Sequence, residues 1–157
     1  MIWLRNSAVL VAAIMFVWAG GAMAQAPAGF ERTTLEIETA QGRHAFDIEL
    51  ALTPAQQSQG LMFRRKMAAN AGMLFFHQRA RVATMWMRNT ILPLDMLFVA
   101  TDGRIVHIVE RTVPQSLTTI SAGRPVRAVL ELNAGTVRRL AVKPGDRLIH
   151  PLFGTAD

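Results

Sequence analysis

Met85-Trp86-Met87-Arg88-Asn89-Thr90-Ile91-Leu92-Pro93-Leu94-Asp95-Met96-Leu97-Phe98 sets four polar side chains in an otherwise apolar run, and its second half decides the fold. Residues 94–100 are apolar at both odd and even positions apart from Asp95. A strand with two apolar faces belongs in the middle of a sheet, so Asp95 near its start is expected to be at least partly enclosed. Thr101-Asp102-Gly103 supplies a turn, and a return strand follows over residues 105–111. Polar groups in such surroundings need partners, because burying an unpaired amide or hydroxyl costs roughly 2–7 kcal/mol.

The same grammar extends in both directions. Leu35 and Ile37 alternate with Glu36 and Glu38, Gln41-Gly42 turns the chain, and Phe46, Ile48 and Leu50 alternate with Asp47 and Glu49, which predicts a hairpin with one wet face. Thr53-Pro54-Ala55-Gln56 combines an N-cap, a proline at the first helical position and a capping-box glutamine, with Gly60 placed to end the helix. Strands are expected over residues 73–76, 82–89 and 126–133. A Ser/Thr/Gly-rich loop runs from Val113-Pro114 to about Pro125. A helical turn at residues 136–139 and a last strand over 147–150, after Pro144-Gly145-Asp146, complete the pattern. The expected fold is all-β with one short helix, a small barrel or sandwich of short, mostly antiparallel strands.

Arg5 precedes an uncharged stretch from Ala8 to Ala19, then Gly20-Gly21 and Ala22-Met23-Ala24. This is the pattern of a secretory signal peptide over residues 1–24, cleaved after Ala24 and leading to the periplasm. An uncleaved anchor is the rival, but the segment is short, Ala-rich and broken by glycines, so no stable span is expected to remain. Residues 25–31 read as a flexible leader and 32–157 as a single domain. The chain has no cysteine, which excludes disulfides, thiolate metal sites, a Cys nucleophile and a lipidated cysteine. Its 17 basic residues outweigh 11 acidic ones, for a net charge of +6. In an exported protein that excess suits an anionic envelope component such as lipid head groups or acidic glycans. The densest basic run, Arg64-Arg65-Lys66, lacks the interleaved aromatics of a single-strand groove, so nucleic acid is not expected as a partner.

Gly60-Leu61-Met62 with Arg64, Gly72-Met73-Leu74-Phe75, Trp86-Met87-x-Asn89-Thr90-x-x-Pro93-Leu94-Asp95 with Phe98, Leu130-Glu131-Leu132 with Ala134-Gly135, and Gly145-Asp146 together resemble the DUF192 family. The resemblance runs from about Thr33 to Leu148, with Met85 in place of the family's commoner aromatic residue and Arg88 in place of Lys. It implies a compact β-rich domain, often behind a signal peptide, with no established activity.

Strand parity carried through the opening run sends Trp86, Arg88 and Thr90 to one side and Met85, Met87 and Asn89 to the other. In one reading Asn89, Thr90 and Asp95 tie down the Ile91-Leu92-Pro93 turn through side-chain to backbone bonds. In the other, Trp86 stacks on a small polar ligand whose groups meet Arg88, Asn89 and Asp95. Asp95 beside Arg88 or Arg64 would form a bidentate pair, with Glu131 taking the other arginine. A binding or envelope-associated module is the expected role. The first rival is a hydrolase using Asp95 and Glu131 as paired carboxylates; no serine elbow, zinc helix or phosphate loop is present. The second is Cu(I) binding by Met62, Met67, Met73, Met85, Met87 and Met96 with His77 nearby, against which stands ordinary core packing by an adaptable side chain. His44, His77, His107 and His150 lack ligand spacing, so neither a metal site nor a cofactor is assigned, and surface or strand positions are expected for them.

Overall fold

A computed structural model describes residues 29–156; the expected signal peptide and most of the leader lie outside the described residues. Seven strands follow in the order β1 (Glu31–Thr39), β2 (Gly42–Ala51), β3 (Ala71–Met85), β4 (Leu94–Val99), β5 (Ile105–Val109), β6 (Ile120–Asn133) and β7 (Arg147–Ile149). Helix α1 (Pro54–Gln59) joins β2 to β3, α2 (Thr136–Arg139) follows β6, and a 3-10 turn at Pro151–Phe153 follows β7. The strands form one sheet in the order β5-β4-β6-β3-β2-β1-β7. A bridge between Arg104 and Arg147 brings the two edges together, supported by Ile105 N–H donating to Asp146 O at 2.8 Å and Leu148 N–H to Gly103 O at 2.8 Å. The all-β, barrel-like expectation therefore holds.

Pairing is antiparallel throughout except between β2 and β3. A parallel pair needs a crossover rather than a hairpin, and α1 with the 60–70 segment provides it. α1 begins as its sequence dictates: Gln56 N–H donates to Thr53 Oγ1 while the Gln56 side chain accepts from Thr53 N–H. β4 lies between β5 and β6, and all six of its residues are buried.

Three expectations are corrected. Strands 73–76 and 82–89 are one strand, β3, 15 residues long, with a register shift between Phe76 and Arg81. The intervening Gln78-Arg79-Ala80 reads as a break in sequence but forms a bulge, where one strand carries extra residues without ending. Likewise Gly123 and Pro125 do not close a loop, because β6 already begins at Ile120 and Val82 pairs with Pro125 beside a second shift; proline is tolerated where the ladder is interrupted. Third, β3 ends at Met85, so strand parity does not extend through Trp86 to Thr90.

The sheet is apolar on both faces. Leu35, Ile37, Phe46, Leu74, Leu97 and Leu130 fill the inside together with Leu148 and Phe153. Met73, Phe75, Met96, Phe98 and Val129 face outward from the middle strands. Loops must cover that second face, and these loops build the candidate site.

Candidate ligand cavity on the outer face

β6 delivers Glu131 to the outer face, where it pairs in register with Met73 of β3 and Met96 of β4. Both methionines are fully buried and Glu131 is only 4% exposed. Its carboxyl borders a cavity of about 70 Å³ walled by Gly60, Leu61, Met62, Phe75, Thr84, Met85, Trp86 and Thr90, with Gln57, Ser58 and Gln59 from α1. No Lys or Arg lines this cavity, so nothing offsets the loss of solvent. Burial pushes the Glu131 carboxyl up to about 8, which keeps it protonated at neutral pH, a donor as well as an acceptor. The cavity has room for a few waters or the polar end of a ligand. Beside it a groove of about 530 Å³, sharing Gln57, Ser58, Thr84, Met85 and Trp86, adds Pro54, Arg81 and Thr119.

The cover is held by backbone geometry. Gly60 has φ +47°, and a Cβ there would lie 3.0 Å from Phe75 Cζ, so α1 ends close over the aromatic ring only with glycine at this position. Phe63 N–H donates to Asn89 O at 2.8 Å, Met87 N–H to Ser116 O at 3.0 Å, and Gln115 N–H to Thr90 O at 3.0 Å. Three loops, 60–65, 86–93 and 111–119, are thus laced side by side. Gly72 permits the close β3–β6 contact beneath them: a Cβ there would meet Glu131 O at 2.7 Å.

Of the residues singled out from sequence, Trp86, Thr90 and Glu131 meet at this cavity. Trp86 is half exposed at its lip, and the exposed Arg88 guanidinium stacks on its ring at 5.5 Å. Thr90 is buried, with its hydroxyl donating to Arg88 O at 3.2 Å. Asn89 is exposed at φ +54°, its amide 3.9 Å from Met62 Sδ. The other two go elsewhere. Arg64 makes a bidentate pair with Glu49, 3.0 and 2.5 Å, rather than with Asp95 or Glu131. The hydrogen bond from Arg64, with the charges of Arg64 and Arg32, holds the Glu49 carboxyl below its usual range against the desolvation that opposes it. Asp95 is fully buried and accepts from Arg111 N–H and Val137 N–H, each at 2.9 Å. It fastens the 111 loop and the start of α2 instead of the 91–93 turn.

Asp95 pairs in register with Leu132, a residue of the inner core, and Glu131 with Met96 of the outer one. The two carboxylates therefore lie on opposite faces of the sheet, and the paired-carboxylate hydrolase has no common site. The copper reading loses its geometric premise as well, since Met87 lies beyond the end of β3 and is packed fully in the outer core. Among the described residues no group of three His, Asp or Glu is placed to hold a metal.

Sequence reasoning missed Gln57, Thr84, Leu61 and Phe75. The polar Gln56-Gln57-Ser58-Gln59 surface marks a short helix lying outside the sheet over an edge or barrel end, but nothing in it shows that Gln57 turns toward the cavity on the outer face. His77 occupies a strand position in β3, as expected, whereas His150 lies beyond the end of β7 and is not at the surface. His77 is buried with Nε2 unpartnered, its pKa lowered to about 4 by burial and by Arg81 and Arg127. His150 is buried, its Nδ1 accepting from Leu152 N–H at 3.2 Å.

The DUF192 family profile, described as an uncharacterised family, matches residues 36–150. A crystal structure from Sinorhizobium meliloti 1021, described as a candidate transcription regulator, superposes with a TM-score of 0.75 at 52% identity, covering 77% of this chain and 95% of that one. A protein of unknown function from Novosphingobium aromaticivorans DSM 12444 gives a TM-score of 0.74 at 42% identity, covering 80% of this chain and 93% of that one. No curated protein matches the chain.

Proposed function

The chain belongs to the DUF192 family, whose description names no activity, and from the cavity geometry we propose that it is an exported binding module for a small, neutral, hydroxyl- or amide-bearing ligand such as a sugar end of an envelope glycan. Export rests on the pattern of residues 1–24. The observation that carries the binding reading is Glu131, a buried carboxyl held near pKa 8 in a cavity without a cation. A protonated carboxyl both donates and accepts, which matches a hydroxyl or amide and gives an anion no charge partner. Trp86 at the lip offers an aromatic face to a ring, and the Gln57, Thr84 and Thr90 side chains supply further polar groups.

The description of the Sinorhizobium protein invites a DNA-binding reading. Among the described residues the longest helix has 6 residues, too short to serve as a recognition helix in a major groove.

Trp86 is the last of three tryptophans, the others being Trp3 and Trp18, so fluorescence after cleavage reports the cavity alone. Titration with neutral mono- and disaccharides should give a saturable emission shift that disappears in Glu131→Leu, with far-UV circular dichroism unchanged. A flat response across neutral saccharides and small amides in the folded parent would overturn the reading.

A further inference from the structure

The large hydrophobic side chains left exposed among the described residues are Leu52, Phe63, Val82, Trp86, Ile91, Val113 and Leu117. All fall within residues 51–94 and 111–130. These same two segments carry Arg64, Arg65, Lys66, Arg79, Arg81, Arg88, Arg111, Arg124 and Arg127 and not one Asp or Glu. Sequence separates the two segments, but the fold lays them together, since the 60–65, 86–93 and 111–119 loops are hydrogen-bonded side by side.

At the centre of that cluster Phe63 is 71% exposed, Val113 70% and Leu117 68%. Exposed Arg65, Lys66, Arg88 and Arg111 stand among them. Arg64 is not part of the free charge, because Glu49 takes it, and Glu110 stands just outside the loops. Apolar tips interspersed with cations and free of acids are the composition of a surface that rests in a lipid interface: the tips enter the acyl boundary while the guanidinium groups meet head groups. No helix among the described residues is long and apolar enough to cross a membrane.

We propose that this loop face docks on the surface of an anionic phospholipid bilayer. Charge complementarity carries the choice of occupant: a bilayer with anionic head groups offers negative charge and apolar depth together, which a duplex nucleic acid does not. Trp86 belongs both to this face and to the lip of the cavity, so docking sets the cavity mouth at the membrane surface. Docking needs no ligand in the cavity.

The test is co-sedimentation of the purified chain with phosphatidylcholine vesicles containing increasing phosphatidylglycerol. Binding should rise with the anionic share and fall with added salt. Arg88→Gln should weaken it about fivefold, from roughly 1 kcal/mol per cation near the surface. Phe63→Ser with Leu117→Ser should weaken it about tenfold through lost apolar insertion. Glu131→Leu should leave vesicle binding unchanged, which separates docking from the cavity reading. Equal binding to neutral vesicles, indifference to these surface changes, or equally tight binding of duplex DNA at the same salt concentration would each overturn the proposal.

Discussion

Glu131 sits between Met73 and Met96, and that placement makes stability fall as pH rises. Its folded-state pKa of about 8 lies above the ordinary glutamate value of 4.5. Below pH 4.5 both folded and unfolded chains hold the proton, and Glu131 costs nothing. Between 4.5 and 8 the unfolded chain ionises while the folded one does not, so stability is lost progressively, by up to about 1.4 kcal/mol per pH unit. Glu131→Gln removes the proton and should flatten this slope, stabilising the protein by a few kcal/mol at pH 8 while leaving pH 4 little changed. Urea unfolding at the two pH values measures the difference, and an unchanged slope would sink the assignment. Asp95 should behave in the opposite sense on substitution. It accepts two backbone N–H bonds in a fully buried setting. Asp95→Asn replaces one acceptor with an N–H₂ facing a donor, so a loss of roughly 2–3 kcal/mol is expected at neutral pH. The two acids, both near apolar runs in the sequence, thus differ because one meets backbone donors and the other an uncharged cavity.

At the scale of elements, glycine and the helix cap carry the decisive information. Gly72→Ala would drive a methyl group into Glu131 O and the Leu132 side chain, each 2.7 Å from the new carbon and one of them backbone. Separating β3 from β6 enough to admit it should cost about 1–3 kcal/mol and should be seen as a lower urea midpoint at unchanged m value. Thr53→Ala removes one half of the capping box and should cost about 1 kcal/mol by the same measurement. The α1 boundaries were legible in sequence because capping is local, written in Thr53, Pro54, Gln56 and Gly60. β1 and β2 were legible because alternation needs only one wet face. β3 was not, since the bulge at Gln78 to Ala80 imitates a turn, and the orientation of Trp86 to Thr90 depended on where that strand stopped. The candidate site was half visible for the same reason: Trp86, Thr90 and Glu131 stood out as polar or aromatic residues in apolar runs, whereas Gln57 and Thr84 gain their positions only from the crossover that folds α1 onto the outer face.

For the whole molecule, closure depends on its last structured strand. β7 is three residues long and pairs with β1 through Glu36, Ile37 and Glu38. Its neighbours supply Phe153, packed edge-on against Phe76 at 5.6 Å, and Thr155, whose hydroxyl donates to Leu148 O at 2.9 Å. Without this segment, β1 becomes an unpaired sheet edge, and Leu35 and Ile37, both fully buried, lose cover at the seam where Arg104 meets Arg147. Unpaired edges beside exposed core are where β proteins associate, and a chain without cysteine has no disulfide to hold the seam shut. A chain ending at Gly145 should therefore lose its cooperative thermal transition, bind a hydrophobic dye and self-associate, while the parent melts in a single step. A truncated chain that still melts cooperatively near the parent's midpoint would show that the other six strands suffice, and would make β7 a cover rather than the closing element of the barrel.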